Sequence, residues 1–220
     1  MGVTLRGLKS RMADWYELHP ITPQRRFLTL AAESVARGGV LAYPTDSSYA
    51  LGCRIGDKDA AERIRNIRRF DRHHLFTLVC RDLSEIATYA RVDNRQYRLL
   101  KTLAPGPYTF VLEATRELPR RLLHEKRKTI GIRVPSHAVS QALLALTDAP
   151  LISTTLWIPG RDEPVGDIRE VRDEIEPLVD VVLDGGSCGI EPTTVIDLTG
   201  EAPVLVRQGR GDVSMIGLAE

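Results

Sequence analysis

The chain has 220 residues, 43% of them hydrophobic and 27% charged, with a formal net charge of +1. That length suits one large α/β domain able to bury most of its apolar surface, and no apolar run approaches the roughly 20 residues a membrane-spanning helix needs. The near-neutral balance predicts no polyelectrolyte partner by itself, and three widely spaced cysteines, Cys53, Cys80 and Cys188, argue against a disulfide scaffold or zinc knuckle. The N-terminal stretch carries no apolar segment followed by a cleavage signal, so the cytoplasm is the expected compartment. Charge is nevertheless uneven. Residues 116–133 hold seven Lys/Arg against two Glu, and residues 161–184 hold nine Asp/Glu against three Arg.

In chain order, residues 1–20 show no clear period and read as an N-terminal extension, partly disordered; residues 21–214 read as one domain. "TPQRRFLTLAAESVARGG" predicts a helix with Thr22 as N-cap, Pro23 in the first turn and Gly38-Gly39 as the stop. "VLAYPT" and "ALGCRI" predict strands around a turn. "DKDAAERIRNIRRF" predicts a helix with Ala60, Ile64 and Ile67 on its apolar stripe. "LFTLVC", apolar except for one Thr, fits a strand buried on both faces. Asp82 caps "LSEIATYA", and "NRQYRLLKTLAPG" is a helix ended by Pro105-Gly106. "YTFVLEA" is a strand, "PRRLLHE" a short helix, "TIGIRV" a strand, and a helix begins at Ser136. "PLISTTLWI" is a strand, and "VGDIREVRDEIEPL" predicts one amphipathic acidic helix. "VDVVLDGG", "TTVIDLT" and "PVLVRQG" are three closing strands. The fold class expected is α/β: one twisted mixed sheet flanked by helices.

The usual dinucleotide, P-loop, zincin and hydrolase motifs are absent. The adjacent His73 and His74 point apart on regular structure and lack a third ligand, so no metal site is assigned and the pair reads as solvated or substrate-facing. Chemistry concentrates instead at strand ends, where α/β sheets place ligands. Thr45, Asp46, Ser47 and Ser48 end a buried strand, an arrangement equally suited to a turn or to a ligand. Arg65, Arg68, Arg69 and Arg72 follow helical spacing and would form one guanidinium face, suited to phosphate if it is more than a solvated surface. Pro105–Phe110 is a rigid turn delivering Thr109. Ser153, Thr154 and Thr155 lie consecutively in an apolar strand and need hydrogen-bond partners. Arg133 and Arg207 each sit alone among aliphatic residues, which calls for an anion or a structural carboxylate.

"GGVLAYPTDSSYALG" resembles the opening G-G-x-x-x-x-P-T-[DE]-[TS]-x-Y-x-L-G of the YrdC-like family. "LAPGPYTFVL" is similar to that family's P-G-P-x-T strand, and "TIGIRVPSHAVSQALL", "PLISTT", "EPTTVIDLT" and "VLVRQG" follow in family order. "WYELHP", "ALGCRI" and "HHLFTLVCRDLSE" resemble its YciO branch. The resemblance implies a YrdC/RibB-like sheet enclosing a basic concave cavity. Its best-known activity is synthesis of threonylcarbamoyl-AMP from threonine, bicarbonate and ATP, which serves a tRNA modification; ATP would bring Mg²⁺. By similarity Thr45, Ser47, His74, Arg133, Ser153 and Thr193 would contact substrate, with Arg133 on the threonine carboxylate. Arg69, Thr109, Thr155 and Arg207 would contact nucleotide, and Arg68 and Thr155 would carry the chemistry. Two elements depart from the synthase pattern: Arg68-Arg69-Phe70-Asp71 replaces K-x-R-P, and Thr155-Leu156-Trp157 replaces S-x-N. The alternative from another class is a non-catalytic protein binding tRNA or double-stranded RNA through residues 65–72 and 116–133.

Overall fold

The computed structural model describes residues 12–71 and 74–217. Its strands are β1 (Asp14–Glu17), β2 (Leu41–Pro44), β3 (Tyr49–Arg54), β4 (Thr77–Val79), β5 (Tyr108–Glu113), β6 (Thr129–Arg133), β7 (Leu151–Thr155), β8 (Val181–Asp184), β9 (Thr194–Asp197) and β10 (Val204–Arg207). They form one open mixed sheet in the order β1-β8-β2-β3-β7-β4-β6-β5-β9-β10. The helices are α1 (Arg25–Ala36), α2 (Lys58–Arg68), α3 (Leu83–Tyr89), α4 (Asn94–Leu103), α5 (Ala138–Leu144) and the single turn α6 (Arg172–Ile175). The expected mixed α/β architecture is therefore the one observed. None of these helices is long and apolar enough to cross a membrane.

Two-residue alternation along the strands divides the core between the two faces of the sheet. On one face α2, α3 and α4 deliver Ala60, Ile64, Ile86, Leu100 and Leu103 onto Leu51, Leu78, Phe110, Ile132, Ile152 and Ile196. On the other, α1 and α5 bring Leu28, Ala31, Val35, Val139 and Leu143 onto Leu41, Tyr43, Val79, Leu151 and Val181. Full burial of each such aliphatic side chain is worth roughly 1.5–3 kcal/mol. The second pair of helices covers only part of its face. Two residues further along the same strands, Leu151 gives way to Ser153 and Thr155, and Val79 is preceded by Thr77.

Helix starts follow side-chain capping where it is available. Asp57 accepts from the Ala60 N–H at 2.9 Å, Asp82 from Glu85 at 2.9 Å, and Asp93 and Gln96 form a reciprocal capping box. Thr22 does not cap α1. Its hydroxyl and N–H both meet His19 Nδ1 at 3.1 Å, and the helix begins after Gln24. Likewise α5 starts after His137, whose Nδ1 accepts from the Val139 N–H, while Ser136 is drawn away to Asp46.

The predicted acidic helix is not continuous. The Asp167 carboxylate takes the N–H and guanidinium of Arg169 and fixes a 3₁₀ turn over Ile168–Val171; Val171 then leaves helical geometry (φ −122°, ψ 20°) before α6. Nothing in the sequence pattern marks β1, which lies at the sheet edge parallel to β8. The partly disordered extension expected over residues 1–20 contains β1 in its described part, and residues 1–11 lie outside the described residues.

Candidate functional site

The uncovered part of the second face is the floor of a cavity of about 550 Å³, within the usual range for small-ligand sites. Thr45, Ser47, Arg68, His74, Thr109, Arg133, Ser153, Thr155, Thr193 and Arg207 all line it. Of the sequence-derived site residues, Arg69 alone is not brought there. It follows the last residue of α2 in the left-handed region (φ 52°), with its N–H bonded back to Asn66 O. The four-arginine helix face consequently breaks. Arg65 lies over the Phe76 ring and pairs with Glu62, Arg68 turns into the cavity, and Arg72 and His73 lie outside the described residues.

The turn between β2 and β3 is organised by Thr45. Its Oγ1 donates to Ser48 O at 2.7 Å and accepts from the Ser47 and Ser48 N–H groups at 3.2 and 3.3 Å. That hydroxyl is committed to the turn. The turn aims Asp46 at Arg133, which pairs with it through Nη2 and donates from Nη1 to Ser47 Oγ at 3.3 Å. Asp46 also accepts from the Ser136 N–H at 2.6 Å and hydroxyl at 2.9 Å. Arg133 is 9% exposed, and its buried Nε has no partner among the described residues. Two further N–H vectors, one on each terminal nitrogen, remain for a ligand.

Two other cations meet no carboxylate among the described residues. Arg68 donates from Nη1 to Trp157 O and lies 4.5 Å from the Phe70 ring centroid and 5.9 Å from that of Trp157. Burial lowers its pKa to about 10, and its Nε is unpartnered. Trp157 is itself anchored by its indole N–H to Arg161 O at 2.9 Å. His74 stacks on Phe70 with centroids 3.4 Å apart; burial, then the Arg68 charge, lowers its pKa and favours the neutral ring. On the opposite wall Arg207 donates to Thr193 O from Nε and Nη2 at 3.2 and 2.9 Å, and burial lowers its pKa too. Thr193 and Thr109 share a hydroxyl contact at 2.9 Å. Ser153, by contrast, is internally satisfied, accepting from Tyr43 OH and donating to Leu51 O.

Residues 33–209 match the family model Sua5/YciO/YrdC, described as "Telomere recombination". The chain belongs to this family. Uncharacterized protein YciO of Escherichia coli (strain K12) is 54% identical over 202 residues, covering 92% of this chain and 98% of that protein. Its crystal structure superposes with a TM-score of 0.87 over the same shares. A threonylcarbamoyl-AMP synthase of Xanthomonas campestris pv. campestris (strain B100) is 32% identical over 183 residues, 81% of this chain and 95% of that one. The Sua5 of P. abyssi, solved in complex with L-threonine, shares the fold with a TM-score of 0.84 at 24% identity, over 92% of this chain and 59% of that one.

Within this family frame, the sequence reading leaves out Phe70, Thr77 and Trp157 from the site, and treats Asp46 only as part of a polar turn. Thr77 carries a usable signal, being the single hydroxyl in "LFTLVC". Phe70 and Trp157 are signalled only as members of the two elements that depart from the synthase pattern; that they bracket Arg68 is not legible, because they are 87 positions apart and are brought to it only by the fold.

Proposed function

We propose that the cavity binds ATP and L-threonine and joins them with bicarbonate to form threonylcarbamoyl-AMP and pyrophosphate. The observation that carries this reading is the pair Arg68, half-buried, and Arg207, more exposed on the cavity wall, cations that rest on backbone carbonyls and face no carboxylate among the described residues. Two cations without a carboxylate on the walls of one cavity suit a bound anion, and the forked guanidinium suits phosphate and carboxylate oxygens. Arg133 differs: Asp46 holds it rigidly, leaving N–H vectors aimed at one further anion. A threonine carboxylate fits that place, and the triphosphate the two uncompensated cations. The family's threonylcarbamoyl-AMP synthases and the threonine complex of P. abyssi Sua5 support the same substrate class.

The reaction needs positioning and charge stabilisation more than a covalent nucleophile. The threonine amine takes up bicarbonate to give a carbamate and water; a carbamate oxygen then attacks the α-phosphorus and pyrophosphate leaves. Arg133 would fix the carboxylate, and Arg68 would stabilise charge where carbamate and α-phosphate meet. Arg207, oriented by Thr193, would hold the phosphates on the far wall, beside Thr109. Mg²⁺ is expected to accompany ATP, yet the described residues offer no cluster of three His, Cys, Asp or Glu for a metal, and Asp46 is already engaged. No step above passes through the ion.

The RNA-binding reading has weaker support. In the basic run, Arg121 bonds Gly56 O, Arg127 pairs with Asp197 and Arg133 is buried, so the segment does not present a continuous phosphate-binding stripe. The test is incubation of the purified chain with ATP, Mg²⁺, bicarbonate and labelled threonine. Pyrophosphate release with threonylcarbamoyl-AMP supports the reading, and a protein that binds neither ATP nor threonine refutes it.

A further inference from the structure

The centre of the cavity floor is occupied by a residue with no assigned role. Thr77 on β4 lies opposite Ser153 of β7 on one side and Gly131 of β6 on the other, and its side chain lines the cavity. Its hydroxyl takes part in none of the hydrogen bonds among the described residues. Two neighbouring hydroxyls are used, Ser153 by Tyr43 and Leu51 and Thr109 by Thr193, while Thr155, further along β7, shares with Thr77 the lack of a partner among the described residues. Beside it the floor is dished. A methyl group built on Gly131 would stand 3.7 Å from Thr77 Oγ1 and 3.3 Å from Thr109 Cγ2, so the missing side chain leaves a slot one methyl wide between two threonines. Glycine inside a strand marks a bulge, a tight bend or the close approach of a ligand or another backbone, and the register through Gly131 is continuous on both sides, so there is no bulge here.

Register fixes what stands beside this slot. Gly131 opposes Thr77 and Arg133 opposes Val79, so Arg133 is one step along the same face, about 6.6 Å of strand from Gly131. A ligand with its carboxylate on Arg133 and its amine substituent directed toward Gly131 would cover the slot. We infer that Thr77 Oγ1 hydrogen-bonds the carbonyl oxygen on the nitrogen of an N-acylated or N-carbamoylated amino acid seated over Gly131. The inference rests on the proposed threonine site and adds to it the group that distinguishes the carbamoylated species from the free amino acid.

The experiment compares two probes, L-threonine and N-carbamoyl-L-threonine, by calorimetric titration of the full chain and its Thr77→Val and Thr77→Ser variants. Valine keeps the shape and removes the hydroxyl; serine keeps the hydroxyl. Thr77→Val is expected to weaken N-carbamoyl-L-threonine roughly five- to tenfold, the worth of one neutral hydrogen bond, while leaving L-threonine within about twofold. Thr77→Ser restores the carbamoyl affinity. The melting temperature stays put in both variants, because the hydroxyl has no partner among the described residues to lose. Gly131→Ala fills the slot and should exclude the carbamoylated probe more than the free amino acid. Equal affinities of wild type and Thr77→Val for N-carbamoyl-L-threonine would overturn the inference, as would an equal loss for both probes with a lowered melting temperature. A wild-type chain that binds neither probe overturns the threonine site itself, and the inference with it.

Discussion

Replacing Asp46 with alanine tests whether the Arg133 pair is the structural anchor of the cavity. The two side chains are 11% and 10% exposed, so the interaction belongs to the buried class, in which removing one partner strands the other charge. That penalty is about 3–5 kcal/mol, and at about 2–4 °C per kcal/mol for a chain of this size the melting temperature should fall by roughly 6–20 °C. The bonds to Ser136 add little, because Ser136 is exposed and water can replace the carboxylate there. Arg133→Met should cost less than Asp46→Ala, since Asp46 keeps Ser136 as a donor. The double variant, Asp46→Ala with Arg133→Met, should recover most of the loss by removing both charges together. Calorimetric melting of the four proteins gives the coupling directly. A drop of less than about 2 °C in Asp46→Ala, or a double variant equal to the sum of the singles, would show that the pair is not coupled as its burial implies.

Two further expectations follow from local geometry. Burial holds the His137 imidazole below its ordinary pKa, and its Nδ1 must be unprotonated to accept the Val139 N–H at the start of α5. The unfolded chain therefore takes up that proton first, so the contribution is complete above about pH 6.5 and is lost as pH falls through the lowered folded value. His137→Asn keeps a capping acceptor without the titration, and urea midpoints at pH 7, 6 and 5 should show a shallower acid loss; an unchanged slope refutes the assignment. Gly209→Ala would place its methyl 2.3 Å from Pro192 O and 2.7 Å from the Thr193 carbonyl, backbone atoms that cannot rotate away. Destabilisation of roughly 1–3 kcal/mol or more is expected, with weaker ATP binding as Thr193 loses its hold on Arg207, and an unchanged melting curve would contradict the geometry.

Local signals in the sequence were read well where local forces decide. Asp82 caps its helix as expected because the carboxylate meets an N–H within three residues, as Asp57 and Asp93 also do without having been singled out, and strands such as "YTFVLE" and "TIGIR" are bounded by turn chemistry on either side. The misreadings share a different cause. Thr22 lost its cap to a histidine, Ser136 to an aspartate 90 positions away, and Arg69 left the helix where the chain enters the cavity rim. β1 escapes the pattern because its partner β8 lies far along the chain, and the junction begins where the Asp14 N–H donates to Asp180 O at 2.9 Å. Hydroxyls and cations in apolar strands could be recognised as a site, but which of them remain free of protein partners depends on register.

That register also explains how the sheet tolerates a polar floor. Each cavity residue is followed or preceded along its strand by a large apolar one on the opposite face: Thr77 by Leu78, Thr109 by Phe110, Arg133 by Ile132, Ser153 by Ile152 and Val195 by Ile196. All five of those apolar residues are at most 1% exposed. The face under α2, α3 and α4 thus has its full apolar packing, while the cavity face gives up burial of roughly 1.5–3 kcal/mol at each hydroxyl or glycine position. Stability and binding are consequently separable along single strands. Shortening Ile132 or Leu78 should loosen the whole sheet, whereas altering Thr77, next to Leu78 on the opposite face, should be felt by the ligand and hardly by the fold.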